Sequence, residues 1–252
     1  MKIQLAGLAL FSLLAAGLAP TRAPAAGLGN YTPTAVPYAW DNSQAIVYDI
    51  DQGPLGSLSN AKAATLVDNA FQVWSSVSTA KLTFMQGDPL DRDVTGANLS
   101  DFLNGLPSDV NPVIFDNDGS VTDSLLGAGA SLQLLAFSQI QQSTPTGKLA
   151  QGLVVINARA LDGLFDPDDV STDVLTRATV QAIGSMLGLG GSDLNDDLIY
   201  DGNTADLNAV PVMHPGTNIN GDLIPVLAAP KLTLDDQMAI STLYPAASFA
   251  TS

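Results

Sequence analysis

The run Thr179-Val-Gln-Ala-Ile-Gly-Ser-Met-Leu-Gly-Leu-Gly-Gly-Ser192 constrains the fold more than any other stretch, because its glycines from Gly188 on mark the end of a long helix. A helix is predicted to begin near Thr172, where Asp173 favours the positive helix end, and to run to Leu187. Gly188 can adopt the left-handed backbone that an abrupt helix ending needs, at little steric cost. Gln181 and Ser185 are four residues apart and therefore share one face of that helix.

Strand and helix signals alternate along the rest of the chain. Ala45 to Ile50 reads as a strand, followed by the turn-rich Gln52-Gly-Pro-Leu-Gly56. Ser59 then caps a helix through about Val77, with Val67, Ala70, Phe71 and Trp74 on one face at spacings of three and four. That stripe marks a packing face, so Trp74 is assigned to the core. Short strands are predicted at Lys81 to Phe84, Pro112 to Phe115, Leu132 to Phe137 and Leu153 to Asn157. A last helix is capped at Thr233, has Asp236 at its third position, and ends before Pro245. Periodicity alone therefore supports a single α/β or α+β domain built on one mixed sheet.

At 252 residues and 46% hydrophobic, the chain can bury one sizeable core. Residues 1–26 combine a basic start at Lys2, an apolar run from Leu5 to Leu18 and the small residues Ala23-Pro-Ala25, which reads as a secretory signal. The apolar run is shorter than the ~20 residues needed to cross a bilayer, which argues against a stable membrane anchor. Residues 27–252 would then form the mature domain, secreted or periplasmic. With no cysteine, an exported chain must rely on core packing and on metal ions in place of disulfides. A formal net charge of −16, made more negative by removal of Lys2 and Arg22, repels nucleic acid and favours divalent cations.

All 25 acidic residues are aspartate, and the chain contains no glutamate. Glutamate is normally among the commonest residues, so its absence points to a compositional constraint, natural or engineered. The segment Asp116-Asn-Asp-Gly-Ser-Val-Thr-Asp123 sets Asp116, Asp118 and Asp123 around a turn glycine, as hard oxygen ligands for calcium would be. It lacks a bidentate glutamate, and an acidic turn with side-chain-to-backbone bonding fits equally well. A second acidic loop, Asp193 to Asp197 with Asp201, reads as a solvated surface.

Three segments in order carry a family resemblance. In the metzincin pattern H-E-x-x-H-x-x-G-x-x-H, two histidines and a third further on bind zinc, and the glutamate is the general base. The frame from Gln181 to Gly191 resembles it, with Gly188 retained. Val210-Pro-Val-Met-His-Pro215 looks like the methionine turn beneath the metal, with Met213 as its methionine. Leu234-Asp-Asp-Gln-Met-Ala-Ile-Ser-Thr-Leu-Tyr-Pro245 resembles the closing helix of matrixin catalytic domains, and Pro112 to Asp116 and Gly152 to Asn157 resemble strands of bacterial matrixin-like proteins. The resemblance spans most of residues 40–245 and implies a twisted mixed sheet with three main helices.

The resemblance also locates what is missing. Gln181, Ser185 and Gly191 stand at the zinc-ligand positions and Ala182 at the general-base position. A neutral amide, a hydroxyl and a bare glycine are not a zinc donor set. Ala182 cannot accept a proton, and without metal nothing lowers the pKa of water, so zinc is not expected and no zinc-peptidase turnover follows. His214, the sole imidazole, follows Met213, where the resemblance implies a structural or pocket-wall residue; no nucleophile-elbow sequence supports a triad with Ser185 or Ser192. The expectations are an exported, inactive matrixin-like domain that holds an extended peptide or protein segment along a sheet edge. The alternatives are a calcium-stabilised structural or surface protein, or a substituted form of an active zinc endopeptidase.

Overall fold

The computed structural model describes residues 27–143, 147–159, 172–201, 203, 205–214 and 230–247. The signal-like segment 1–26 and Pro215 lie outside them. The sheet has five strands in the order β2-β1-β3-β5-β4: β1 Ile46–Ile50, β2 Phe84–Gln86, β3 Pro112–Asp116, β4 Ala136–Ser143 and β5 Lys148–Asn157. Strands β2, β1, β3 and β5 run parallel, and among the described residues β4 pairs with β5 alone, antiparallel. β4 is therefore an edge strand.

Side-chain alternation divides this sheet into two apolar faces. Ile46, Tyr48 and Ile50 of β1, Val113 and Phe115 of β3, and Val154 and Ile156 of β5 join one cluster with the helices. α1 (Asn60–Ser75), α4 (Thr172–Met186) and α6 (Leu234–Leu243) cover that face. Tyr48 stacks on Phe71 of α1, with ring centroids 3.9 Å apart. Ile114, Leu153 and Val155 point the other way and pack under α2 (Leu99–Gly105) and α3 (Ser120–Leu126) through Leu99, Phe102 and Val121. Helices thus lie on both faces of a mixed sheet.

The helical stripe of α1 buries as expected, with Val67, Ala70, Phe71 and Trp74 all at most 1% exposed. Ser59 occupies its N-cap without a side-chain cap bond. The Thr233–Asp236 capping box forms as the sequence indicates. Beyond the three long helices, the described residues form three short ones, α2, α3 and α5 (Asp197–Tyr200), too brief to leave a readable period.

Three strands differ from expectation at their boundaries. β5 begins at Lys148 and not at Leu153, because its first half pairs with the polar end of β4. Residues Ala130–Leu132 form a 3-10 turn after Gly129 at φ 88°, so β4 starts at Ala136 and runs on through Gln139, Gln141 and Gln142. An edge strand tolerates such polar residues, which hides it from a hydrophobic pattern. Lys81 donates its backbone N–H to Tyr244 O (2.7 Å), which ties this segment to the chain end and leaves β2 to begin at Phe84.

Candidate functional site

α4 is embedded on nearly every side. Ten of its fifteen residues are buried, including Ala182, which is 3% exposed and belongs to the main core. Gln181 and Ser185 are half-buried on their shared face. After Met186 the helix closes as the sequence requires. Leu189 donates to Gly184 O (3.0 Å) and Gly188 to Ser185 O (3.0 Å), the paired bonds of a Schellman ending, with Gly188 at φ 97°. A Cβ at Gly188 would come within 2.8 Å of Tyr38 O, so glycine is required by packing as well as by backbone.

Three aromatic side chains satisfy carbonyls of α4 and of the residue that follows it. Trp74 Nε1 donates to Val180 O (2.8 Å), Trp40 Nε1 to Met186 O (2.9 Å) and the Tyr244 hydroxyl to Leu187 O (2.6 Å). That hydroxyl also accepts from Trp40 N (3.1 Å), so strand entry, closing helix and α4 meet at one buried oxygen. Burial raises the Tyr244 phenol well above its ordinary value and keeps it a neutral donor.

Past the helix, Gly29 N donates to Gly188 O (2.7 Å) and Gly190 N to Gly27 O (2.8 Å), so residues 27–29 line the returning chain. Gly191 is exposed and Ser192 is buried. The segment holding Met213 is bound from three directions. Gln181 Nε2 donates to His214 O (2.6 Å), and Ser192 N donates to Met213 O (3.0 Å). Asp236, fully buried, accepts from Val212 N (3.0 Å) and Met213 N (3.1 Å) while its carboxylate also closes the α6 cap.

Arg177 supports the same segment from α4. Its Nη2 donates to Pro211 O (2.6 Å), and the side chain is 4% exposed. Burial lowers its pKa to about 10, against the charge of Asp236, which favours the protonated form. Neither role was legible in the sequence. The capping box identified Asp236 as a helix residue, but nothing local revealed that the same carboxylate reaches Met213 across more than twenty positions.

Gln181, Met213 and the Gly191–Ser192 turn are therefore brought together, through backbone carbonyls and not through a shared ligand sphere. Among the described residues no group of three histidine or acidic side chains is placed to hold a metal ion. The imidazole of His214 pairs with Asp196 (Nε2 to Oδ1, 2.9 Å), whereas Ser192 Oγ donates to Asp235 Oδ2 (2.7 Å). Ser192 and His214 thus have different carboxylate partners.

No family model and no curated protein sequence matches the chain.

The carboxylates singled out as calcium ligands sit elsewhere, at the end of β3. Asp116 is 1% exposed and accepts from Val121 N (3.1 Å), Thr122 N (2.7 Å) and Thr122 Oγ1 (2.6 Å). Asp118 accepts from Ser120 N (2.9 Å), and Asp123 accepts from Ser131 N (2.8 Å). The Ser120 hydroxyl and then its amide hold the Asp118 carboxyl below its usual range, and the Ser131 amide does the same for Asp123. Asp123 lies within α3 and not at the far end of a loop, and the three carboxylates tie this short helix to its flanking turns through hydrogen bonds. Among the described residues no helix is long and apolar enough to cross a membrane.

Proposed function

We propose that the chain is an exported matrixin-like domain of the metzincin type without zinc chemistry, which binds an extended peptide or protein segment beside α4. One observation carries the reading: the Met213 segment is clamped beneath α4, between Gln181 at one ligand position of the family pattern and Ser192 beside another. A site framework kept by buried hydrogen bonds, with no metal donor at Gln181, Ser185 or Gly191 and no base at Ala182, suits binding and not turnover. The occupant would lie on β4, whose outer edge has no strand partner among the described residues and which α4 packs against. An extended segment can add to such an edge through main-chain hydrogen bonds, with side chains reading the alternate positions.

The test is selection of displayed random peptides on the folded full chain, followed by hydrogen exchange with the enriched peptide. Slower exchange confined to Ala136–Ser143 and α4 is expected. Failure to enrich any peptide, or protection elsewhere, would end the binding reading. The family reading is tested separately by Gln181→His, Ala182→Glu, Ser185→His and Gly191→His together, which should load stoichiometric zinc and cleave casein. A folded, zinc-loaded protein that cleaves nothing would remove it.

A further inference from the structure

The far face of the sheet carries a cavity of about 610 Å³ unrelated to α4. It opens between β1, the segment after β2, and the α2–β3 connection. Val47 and Asp49 line it because they alternate with Tyr48, whose ring stacks on Phe71 on the opposite face. Phe102, Leu106 and Val110 complete an apolar wall. The volume lies in the range of small-molecule sites, roughly 300–1,000 Å³.

Its charges are one-sided. Asp49 is 8% exposed at the wall, and Asp88, Asp91, Asp101 and Asp109 stand exposed around it. The only cation on the lining, Arg92, is already engaged by Asp91 through Nη2 to Oδ2 at 2.6 Å. No salt bridge reaches Asp49 among the described residues, and Gly87 leaves the space its carboxylate needs: a Cβ there would meet Oδ1 at 2.3 Å. Burial, with Asp88 and Asp109 adding to it, raises the Asp49 carboxyl against the opposing backbone N–H of Asn111. A cation entering this cavity would relieve that burden.

We propose that this cavity binds a small organic cation, its ammonium or guanidinium group on Asp49 and its apolar body against Val47, Phe102, Leu106 and Val110. Aromatic and aliphatic walls with one buried carboxylate select for both halves of such a ligand, since an apolar molecule leaves the Asp49 carboxylate without a counter-charge and an inorganic cation leaves the wall wet.

The experiment is titration of the full chain with 2-phenylethylammonium at 0.15 M salt, followed by calorimetry and by chemical-shift changes at Val47, Phe102 and Val110. Saturable binding is expected, at least tenfold weaker for 2-phenylethanol and at least tenfold weaker in Asp49→Asn, with the surface variant Asp41→Asn unchanged. If Asp49→Asn does not fold, the double variant Asp88→Asn and Asp109→Asn replaces it and should bind at least threefold more weakly. Absence of saturable binding, equal affinity for the alcohol, or an unchanged affinity in the folded carboxylate variants would overturn the proposal.

Discussion

Met213 lies so close beneath Gly184 that a Cβ on the glycine would stand 2.5 Å from its Sδ and 2.6 Å from Cζ2 of Trp74. The contact joins α1, α4 and the 210–214 segment in one packed layer, and Met213 and Trp74 are both at most 1% exposed. The glycine is there for approach and not for backbone freedom, since Gly184 sits inside α4.

Gly184→Ala should therefore destabilise the protein, although alanine is the better helix former. Overpacking of a dense core costs about 1–3 kcal/mol, more than the roughly 1 kcal/mol gained in helix propensity. Urea unfolding followed by tryptophan fluorescence measures the balance. A variant as stable as the parent would mean that Met213 moves aside freely and does not pin the site.

Removal of Asp236 strands several donors at once. Val212 N, Met213 N and Thr233 N all point to its carboxylate in the interior. Asp236→Ala should cost about 3 kcal/mol or more, because each buried donor left unpaired loses roughly 1–3 kcal/mol. Amide exchange at Val212 and Met213 should accelerate more than at α1. Uniform acceleration across both regions would reduce Asp236 to a general stability residue.

Asp116 separates a structural role from a metal role. Its carboxylate already accepts from Val121 N, Thr122 N and the Thr122 hydroxyl. Asp116→Ala is expected to lower stability by about 2 kcal/mol equally in calcium and in chelator. A loss seen only in calcium would restore these aspartates as ligands.

Asp49 sets a pH signature. Its carboxyl is raised in the folded protein above the ordinary 3.8, chiefly by burial. Between the unfolded value and the raised one the folded state binds more protons, so this contribution to stability falls as pH rises and is regained on acidification. The urea midpoint of the parent relative to Asp49→Asn should therefore climb as pH drops from 7 toward 4. A difference that stays flat over that range would show that Asp49 titrates as it does in the unfolded chain.

The elements that were legible in the sequence are those written within a few neighbouring residues. The stripe of α1, the Thr233–Asp236 cap of α6 and the stop at Gly188 each follow from local period, capping or backbone freedom, and they formed where those rules put them. β4 was only partly legible, because an edge strand carrying three glutamines lacks the hydrophobic alternation that announces a buried strand. The acidic run at Asp116 was visible as a cluster, but its hydrogen-bond partners were not.

The sequence by itself determined where α4 ends and that Gln181, Ala182, Ser185 and Gly191 supply neither a zinc donor set nor a base, since those are properties of side-chain chemistry. Only the tertiary structure decided that Arg177 and Asp236 grip the Met213 segment, that Met213 fills the space against Gly184, and that Asp49 stands on the wall of a cavity behind the sheet. Those pairings join residues far apart in the chain, and burial selects them from many locally equivalent alternatives because an unpaired polar group or an unfilled space in the interior costs free energy.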